Sequence, residues 1–210
     1  MRKLPVYLLL DTSGSMYGEP LEAVKAGVET LVQTLRQDPY ALETACLSVI
    51  TFASDARQAA PLQEVMAFEQ PTLIASGQTA MGAALKLLAE RVDAEVAQNT
   101  KNKKGDWKPL VFIMSDGAPT DDLEAGLAAM KSRKFGMVIA CAAGSRADAG
   151  VLKRITDTVV RLDTLDMDSV KAFFKWVSAS VSSGSARVDA GQQPGEIQEL
   201  PPPPEEVIFV

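Results

Sequence analysis

The sequence predicts an α/β fold in three layers: a mostly parallel central sheet with one antiparallel edge strand and helices on both faces. Two observations predict it. Short, nearly continuous apolar runs alternate with segments of helical period, and two of those runs stop abruptly at an aspartate flanked by small hydroxyl and glycine residues.

Val6 to Leu10 reads as the first strand, running directly into Asp11. Leu21, Val24, Val28, Leu31 and Leu35 then recur at steps of three and four, one face of a helix that Pro20 opens in its first turn. Ala45 to Ala53 is a second strand, and Arg57 to Leu62 returns beside it as the antiparallel edge. A loop containing Ser76-Gly77-Gln78-Thr79 leads into a helix whose Met81, Leu85, Leu88, Val92 and Val96 face the core. A third apolar strand ends in Ser115-Asp116-Gly117. Asp121 and Asp122 suit the start of the helix that follows. Phe135 to Gly144 is a fourth strand, Asp148 to Asp157 holds a short helix, and Val159 to Asp163 is a last strand. The final helix carries Val170, Phe173, Phe174, Val177 and Val181 on one stripe.

With 210 residues, 47% hydrophobic and 23% charged, the chain has the size and balance of one globular domain with a core of its own. That domain is expected over residues 1–183. From Gly184 the composition shifts to Ser, Gly, Gln, Pro and Glu, so residues 184–210 are expected to form an extended or disordered tail. Its last four residues, Val207 to Val210, carry a second possibility, docking on a sheet edge or groove. No apolar run is long enough for a membrane span. The N-terminus passes straight into a strand without a cleavage-site pattern, so a cytoplasmic protein is expected.

Charge and composition exclude several function classes. A net charge of −6 argues against nucleic-acid binding, which needs a concentrated basic face. The basic run from Lys101 to Lys108 reads as a solvated loop. The absence of histidine removes His-based catalytic triads and acid–base pairs, and with only two cysteines, Cys46 and Cys141, it removes any familiar zinc site. Both cysteines lie within or beside apolar runs and are expected as reduced, buried thiols.

What remains is oxygen chemistry. In an open parallel sheet, ligands bind beyond the carboxyl ends of the strands. If the first and third strands are neighbours, Asp11, Ser13, Ser15, Thr79 and Asp116 converge there. Alternate residues of a semi-extended loop point the same way, so Asp11, Ser13 and Ser15 can address one point. Hydroxyls as direct ligands, with two carboxylates acting directly or through water, suit Mg²⁺; Mn²⁺ or Ca²⁺ could substitute.

These residues, in this order, resemble the von Willebrand factor A (VWA) domain, whose metal-ion-dependent adhesion site has the pattern Asp-x-Ser-x-Ser, then Thr, then Asp. The match is Asp11, Ser13, Ser15, Thr79 and Asp116, and the resemblance covers roughly Leu4 to Ser182. It implies a Rossmann-like domain that uses its metal to bind a partner's Asp or Glu carboxylate. The segment Met114 to Asp122 and the short form of the chain resemble the bacterial tellurite-resistance TerY-type proteins. That implies partners such as a kinase and a PP2C-type phosphatase in a stress-resistance system.

Two enzyme classes also present aspartates after strands. Aspartic proteases do so in all-β folds, which the strand–helix alternation here does not fit. A haloacid-dehalogenase-type phosphatase uses Mg²⁺ and an aspartate after its first strand, but places a second aspartate two residues later as general acid, where this chain has Ser13. A Mg²⁺-dependent, phosphatase-like hydrolase using Asp11 is therefore the alternative to a binding module.

Overall fold

The computed structural model describes residues 2–192 and 200–210. Seven strands form one sheet in the order β3-β2-β1-β4-β5-β6-β7. The five inner strands are parallel: β2 (Ala45–Phe52), β1 (Leu4–Asp11), β4 (Leu110–Ser115), β5 (Met137–Ala143) and β6 (Val159–Leu162). The expected antiparallel edge is β3 (Ala56–Glu64), beside β2. A second antiparallel edge, β7 (Ile208–Phe209), pairs with β6 and comes from the tail.

β1 is buried along its whole length because both of its faces are covered. Leu4, Val6, Leu8 and Leu10 point into a core beneath α1 (Glu19–Gln37) and α6 (Met167–Asp189), with Val24, Val28, Leu31, Phe173, Phe174 and Val177. Tyr7 and Leu9 point the other way, toward α3 (Met81–Glu95) and α4 (Leu123–Lys131), where Leu85, Leu88, Val92 and Leu127 meet them. The two-residue period of a strand thus serves two cores at once. Two short helices complete the set: α5 (Ala149–Leu152), and α2 (Pro39–Thr44), which the sequence pattern did not single out. Asp38 caps α2 by accepting from the Ala41 amide at 2.9 Å.

The last helix corrects the boundary expected at Gly184. α6 continues to Asp189, because Ser180, Gly184, Ser185 and Val188 are buried at helical spacing. Small residues that look like loop composition serve here as a close-packing stripe. The 193–199 portion of the expected tail lies outside the described residues. Beyond it, Val207 is buried and Ile208 and Phe209 join the sheet, so the end of the chain docks on an edge. Cys46 and Cys141 are free, buried thiols, as expected.

Candidate functional site

The strand order makes β1 and β4 neighbours, with Leu10 opposite Met114, so Asp11 and the Ser115-Asp116 corner leave the sheet side by side. The loop after β1 is held from several directions. The Thr12 amide donates to the Phe52 carbonyl (2.9 Å), the Ser76 amide to the Thr12 carbonyl (2.9 Å) and the Gly14 amide to the Gly77 carbonyl (3.0 Å). A Cβ on Gly14 would stand 3.3 Å from that same carbonyl oxygen, so the two loops approach as closely as they do because the residue is glycine. Gly18, at φ 87°, turns the chain into α1, where a side chain would be strained.

Within this frame four of the five expected site residues form one hydrogen-bonded chain. One oxygen of Asp11, Oδ1, accepts from the Ser13 amide at 2.8 Å, and the other, Oδ2, accepts from Ser115 Oγ at 2.5 Å. Ser13 Oγ lies 3.0 Å from Ser15 Oγ, which donates to Asp116 Oδ1 at 2.7 Å. Asp11, Ser13 and Asp116 are 1%, 2% and 2% exposed, so two carboxylates are held close together almost out of water. Burial raises the Asp11 carboxyl above its ordinary value. Hydrogen bonds from Ser115 and Ser13 oppose the rise, and the Asp116 charge adds to it.

Thr79, the fifth residue, is buried beside the others rather than bonded to them. Its Oγ1 would lie 3.6 Å from a Cβ on Gly117, next to Asp116. Thr120 holds its backbone from across the cleft: Thr120 Oγ1 accepts from the Thr79 amide (3.1 Å) and the Thr120 amide donates to the Thr79 carbonyl (3.0 Å). The neighbouring aspartates divide their work. Asp122 caps its own helix α4 through the Ala125 amide, as expected. Asp121 departs from expectation and caps α3 from outside, accepting from the Gly82 and Ala83 amides at 2.9 and 2.7 Å. The loop after β4 therefore positions the loop that carries Thr79.

Two participants were not singled out in the sequence. Ser115 directly precedes Asp116, and the strand-end position was its only signal. Arg146, in the loop after β5, places Nη2 3.3 Å from Asp116 Oδ2 while its side chain is 71% exposed. No spacing pattern announced it, because it enters from an element 30 residues further along the chain.

The donor set fits a small hard cation. Adjacent ligands about 2.1 Å from an octahedral Mg²⁺ lie about 3.0 Å apart, and the Ser13 and Ser15 oxygens are 3.0 Å apart. Serine hydroxyls donate now but also carry lone pairs that can turn to a cation. Among the described residues no group of three or more His, Cys, Asp or Glu side chains gathers to hold a metal, so the hydroxyls are essential to this reading.

An open, largely parallel sheet covered by helices on both faces, with buried carboxylates and hydroxyls at its carboxyl end, is a Rossmann-like fold. Residues 6–174 match the von Willebrand factor type A domain, and the chain belongs to that family, whose members commonly serve as protein-interaction modules. No curated protein matches the sequence.

Solved structures share the fold. A von Willebrand factor type A protein from Catenulispora acidiphila is 20% identical, with TM-score 0.66, over 87% of this chain and 43% of that one. The open conformation of the pilus adhesin SpaC from Lactobacillus rhamnosus GG is 15% identical, with TM-score 0.68, over 87% of this chain and 30% of that one. BatB from Bacteroides thetaiotaomicron is 21% identical, with TM-score 0.55, over 83% of this chain and 97% of that one. This chain thus spans less than half the length of the first two. Among the described residues no helix is long and apolar enough to cross a membrane.

Proposed function

We propose that this protein is a metal-dependent protein-interaction module whose site binds Mg²⁺, with Mn²⁺ or Ca²⁺ as substitutes, and through it a carboxylate of a partner protein. One observation carries the reading: two nearly fully buried carboxylates are bridged by Ser13, through its amide, and Ser15, and the hydroxyl oxygens of these serines lie at a spacing that matches neighbouring ligands of a small octahedral ion. When bound, the ion would supply a coordination position open to an Asp or Glu of the partner.

The chain's own residues would prepare that position. Ser13, Ser15 and Thr79 would present hydroxyl oxygens, while Asp11 and Asp116 would supply charge, partly through water. Ser115 and the Ser13 amide fix the Asp11 carboxylate, and Arg146 is the nearest counter-charge to Asp116. With few carboxylates directly on the ion, it would keep its affinity for an external anion, so metal and partner binding would be coupled.

The resemblance to TerY-type proteins supports a finer assignment, a cytoplasmic scaffold for a kinase and a PP2C-type phosphatase in a bacterial tellurite or stress-resistance system. The hydrolase alternative has weaker support. Both Asp11 oxygens are already engaged by Ser13 and Ser115, and Ser13 stands where a second acid would be needed.

Titration calorimetry with Mg²⁺, followed by capture from a native lysate in Mg²⁺ or EDTA, tests the proposal against Asp11→Ala and Ser13→Ala. Both substitutions should abolish metal binding and metal-dependent capture. Capture indifferent to chelator and to both substitutions would overturn it, and metal-dependent phosphoester turnover lost in Asp11→Asn would favour the hydrolase.

A further inference from the structure

We infer that the outer edge of β6 is a strand-acceptor site, closed in cis by the chain's own C-terminal segment and occupied in trans by the same segment of a second copy. The docked segment shows what the edge recognises. Phe209 pairs antiparallel with Val160 and Ile208 with Arg161, and the Val210 amide donates to the Val159 carbonyl at 3.0 Å. Alternate side chains go to opposite faces. Val207 is buried in the core under α6 and Phe209 lies edge-on to Trp176 at 5.9 Å, while Val210 packs against the core on the other side. Trp176 Nε1 also donates to the Pro201 carbonyl at 2.8 Å, anchoring the start of the segment.

The closure is shallow. Ile208 and Phe209 remain 38% and 43% exposed, and a cleft of about 580 Å³ stays open between the proline run and α6, where Lys171, Lys175 and Trp176 face Pro201, Pro204 and Glu206. One buried valine, the partly buried Leu200 and Val210, one aromatic contact, the indole hydrogen bond to Pro201 and a two-residue ladder must offset the entropy of ordering the segment. The segment is therefore detachable, and detaching it leaves β6 as a bare edge, the kind of surface on which another strand pairs. The one sequence the structure shows to fit this edge is the chain's own terminus, which every second copy carries. Because an exchanged pair makes the same contacts as two closed monomers, exchange needs no new interface. A tethered tail sees its own acceptor at an effective concentration of about 1 mM, so exchange competes with closure as the protein approaches that concentration.

This reading is independent of the metal site. A peptide spanning Leu200 to Val210, carrying a fluorophore, should bind a chain ending at Gln192 with Kd of about 100 µM or tighter and bind the full chain at least tenfold more weakly, because the cis tail competes. Val207→Asp in the full chain should open the acceptor and raise peptide affinity toward that of the truncated chain, which keeps the test usable if the truncation fails to fold. Sedimentation of the wild-type chain near about 1 mM should show a dimer that Val207→Asp abolishes. Equal peptide binding by closed and opened chains, or no binding by a folded opened chain, would overturn the acceptor site. A wild-type chain that stays monomeric at that concentration while its opened form binds peptide would overturn the second copy as occupant.

Discussion

Asp106, at the amino end of the sheet, and the Asp11–Asp116 pair, at its carboxyl end, put one residue type to different uses. Asp106 Oδ1 accepts from the Lys3 amide at 2.9 Å and Oδ2 from the Ala97 amide at 3.0 Å. Both donors are backbone amides, which can only donate, so the carboxylate is a tie between the chain entering β1 and the loop leaving α3. Asp11 and Asp116 are also hydrogen-bonded, but three of their four oxygens meet hydroxyls or the exposed Arg146 guanidinium. Hydroxyls can reverse their role and an exposed guanidinium can move away. A fully paired carboxylate is thus structural or available for a cation according to what pairs it.

The largest expected effect separates the two ends through metal. With Mg²⁺ at about 100 times its Kd, linkage should stabilise the wild-type chain by about 2.7 kcal/mol. Melting curves with Mg²⁺ and with EDTA should show that increment lost in Asp116→Asn and retained in full by Asp106→Asn. An increment that survives in Asp116→Asn would erase the distinction between the ends.

The next effect runs the other way. Asp106→Ala leaves two backbone amides without their acceptor and should cost about 2 kcal/mol in urea unfolding, equally in Mg²⁺ and in EDTA. Asp11→Asn in EDTA should cost much less, because it removes a buried charge facing Asp116 as well as an acceptor.

A third contrast uses pH and lies within the carboxyl end itself. Asp166 caps α6, and hydrogen bonds from the Ser169 amide and Thr164 hold its carboxyl below the ordinary value of 3.8. Its cap, worth about 1 kcal/mol, is fully present above that value and lost as pH falls through the lower folded-state value. Asp166→Ala should therefore destabilise at neutral pH and match wild type in strong acid. Asp11 has the opposite sign. Its carboxyl is raised above 3.8, so in the metal-free chain ionisation costs stability as pH rises, and protonation should weaken Mg²⁺ binding at a pH above the ordinary aspartate value. Calorimetry across pH 4 to 7 would show the loss. The smallest effect belongs to Arg146→Ala, where removing an exposed, screened competing cation should raise Mg²⁺ affinity about two- to fivefold.

Much of the hydrogen-bonded cluster of Asp11, Ser13, Ser15 and Asp116 was legible because its two aspartates sit at strand ends. Asp11 and Asp116 each terminate a run too apolar to be anything but a buried strand, and the D-x-S-x-S spacing needs only one loop to be read. Ser115 and Arg146 were not legible: a serine before a strand-end aspartate has many uses, and an arginine in a distant loop becomes a counter-charge only when β5 is placed beside β4. Asp121 illustrates the same limit. Its chemistry as a helix cap followed from residue type, but the helix it caps is α3, reached across the fold.

The two ends of the final segment show where local pattern stops deciding structure. Serine and glycine near residue 184 suggested the start of an extended or disordered tail, yet α6 continues because their small side chains are buried at helical spacing, a property of the neighbours they face. Val207 to Val210 carries apolar residues that any edge could take, and the edge it takes, β6, exists only once five parallel strands have been ordered.

By itself, the sequence determined the α/β alternation, the two-sided burial of the inner strands, the absence of histidine chemistry and the set of five oxygen-bearing residues, because these depend on period, composition and spacing along one chain. Tertiary structure alone decided that Asp11 and Asp116 share one hydrogen-bonded chain through Ser13 and Ser15, that Arg146 joins it and which sheet edge the segment from Val207 to Val210 takes. Those depend on strand order and on distances between residues far apart in sequence, which no local preference encodes.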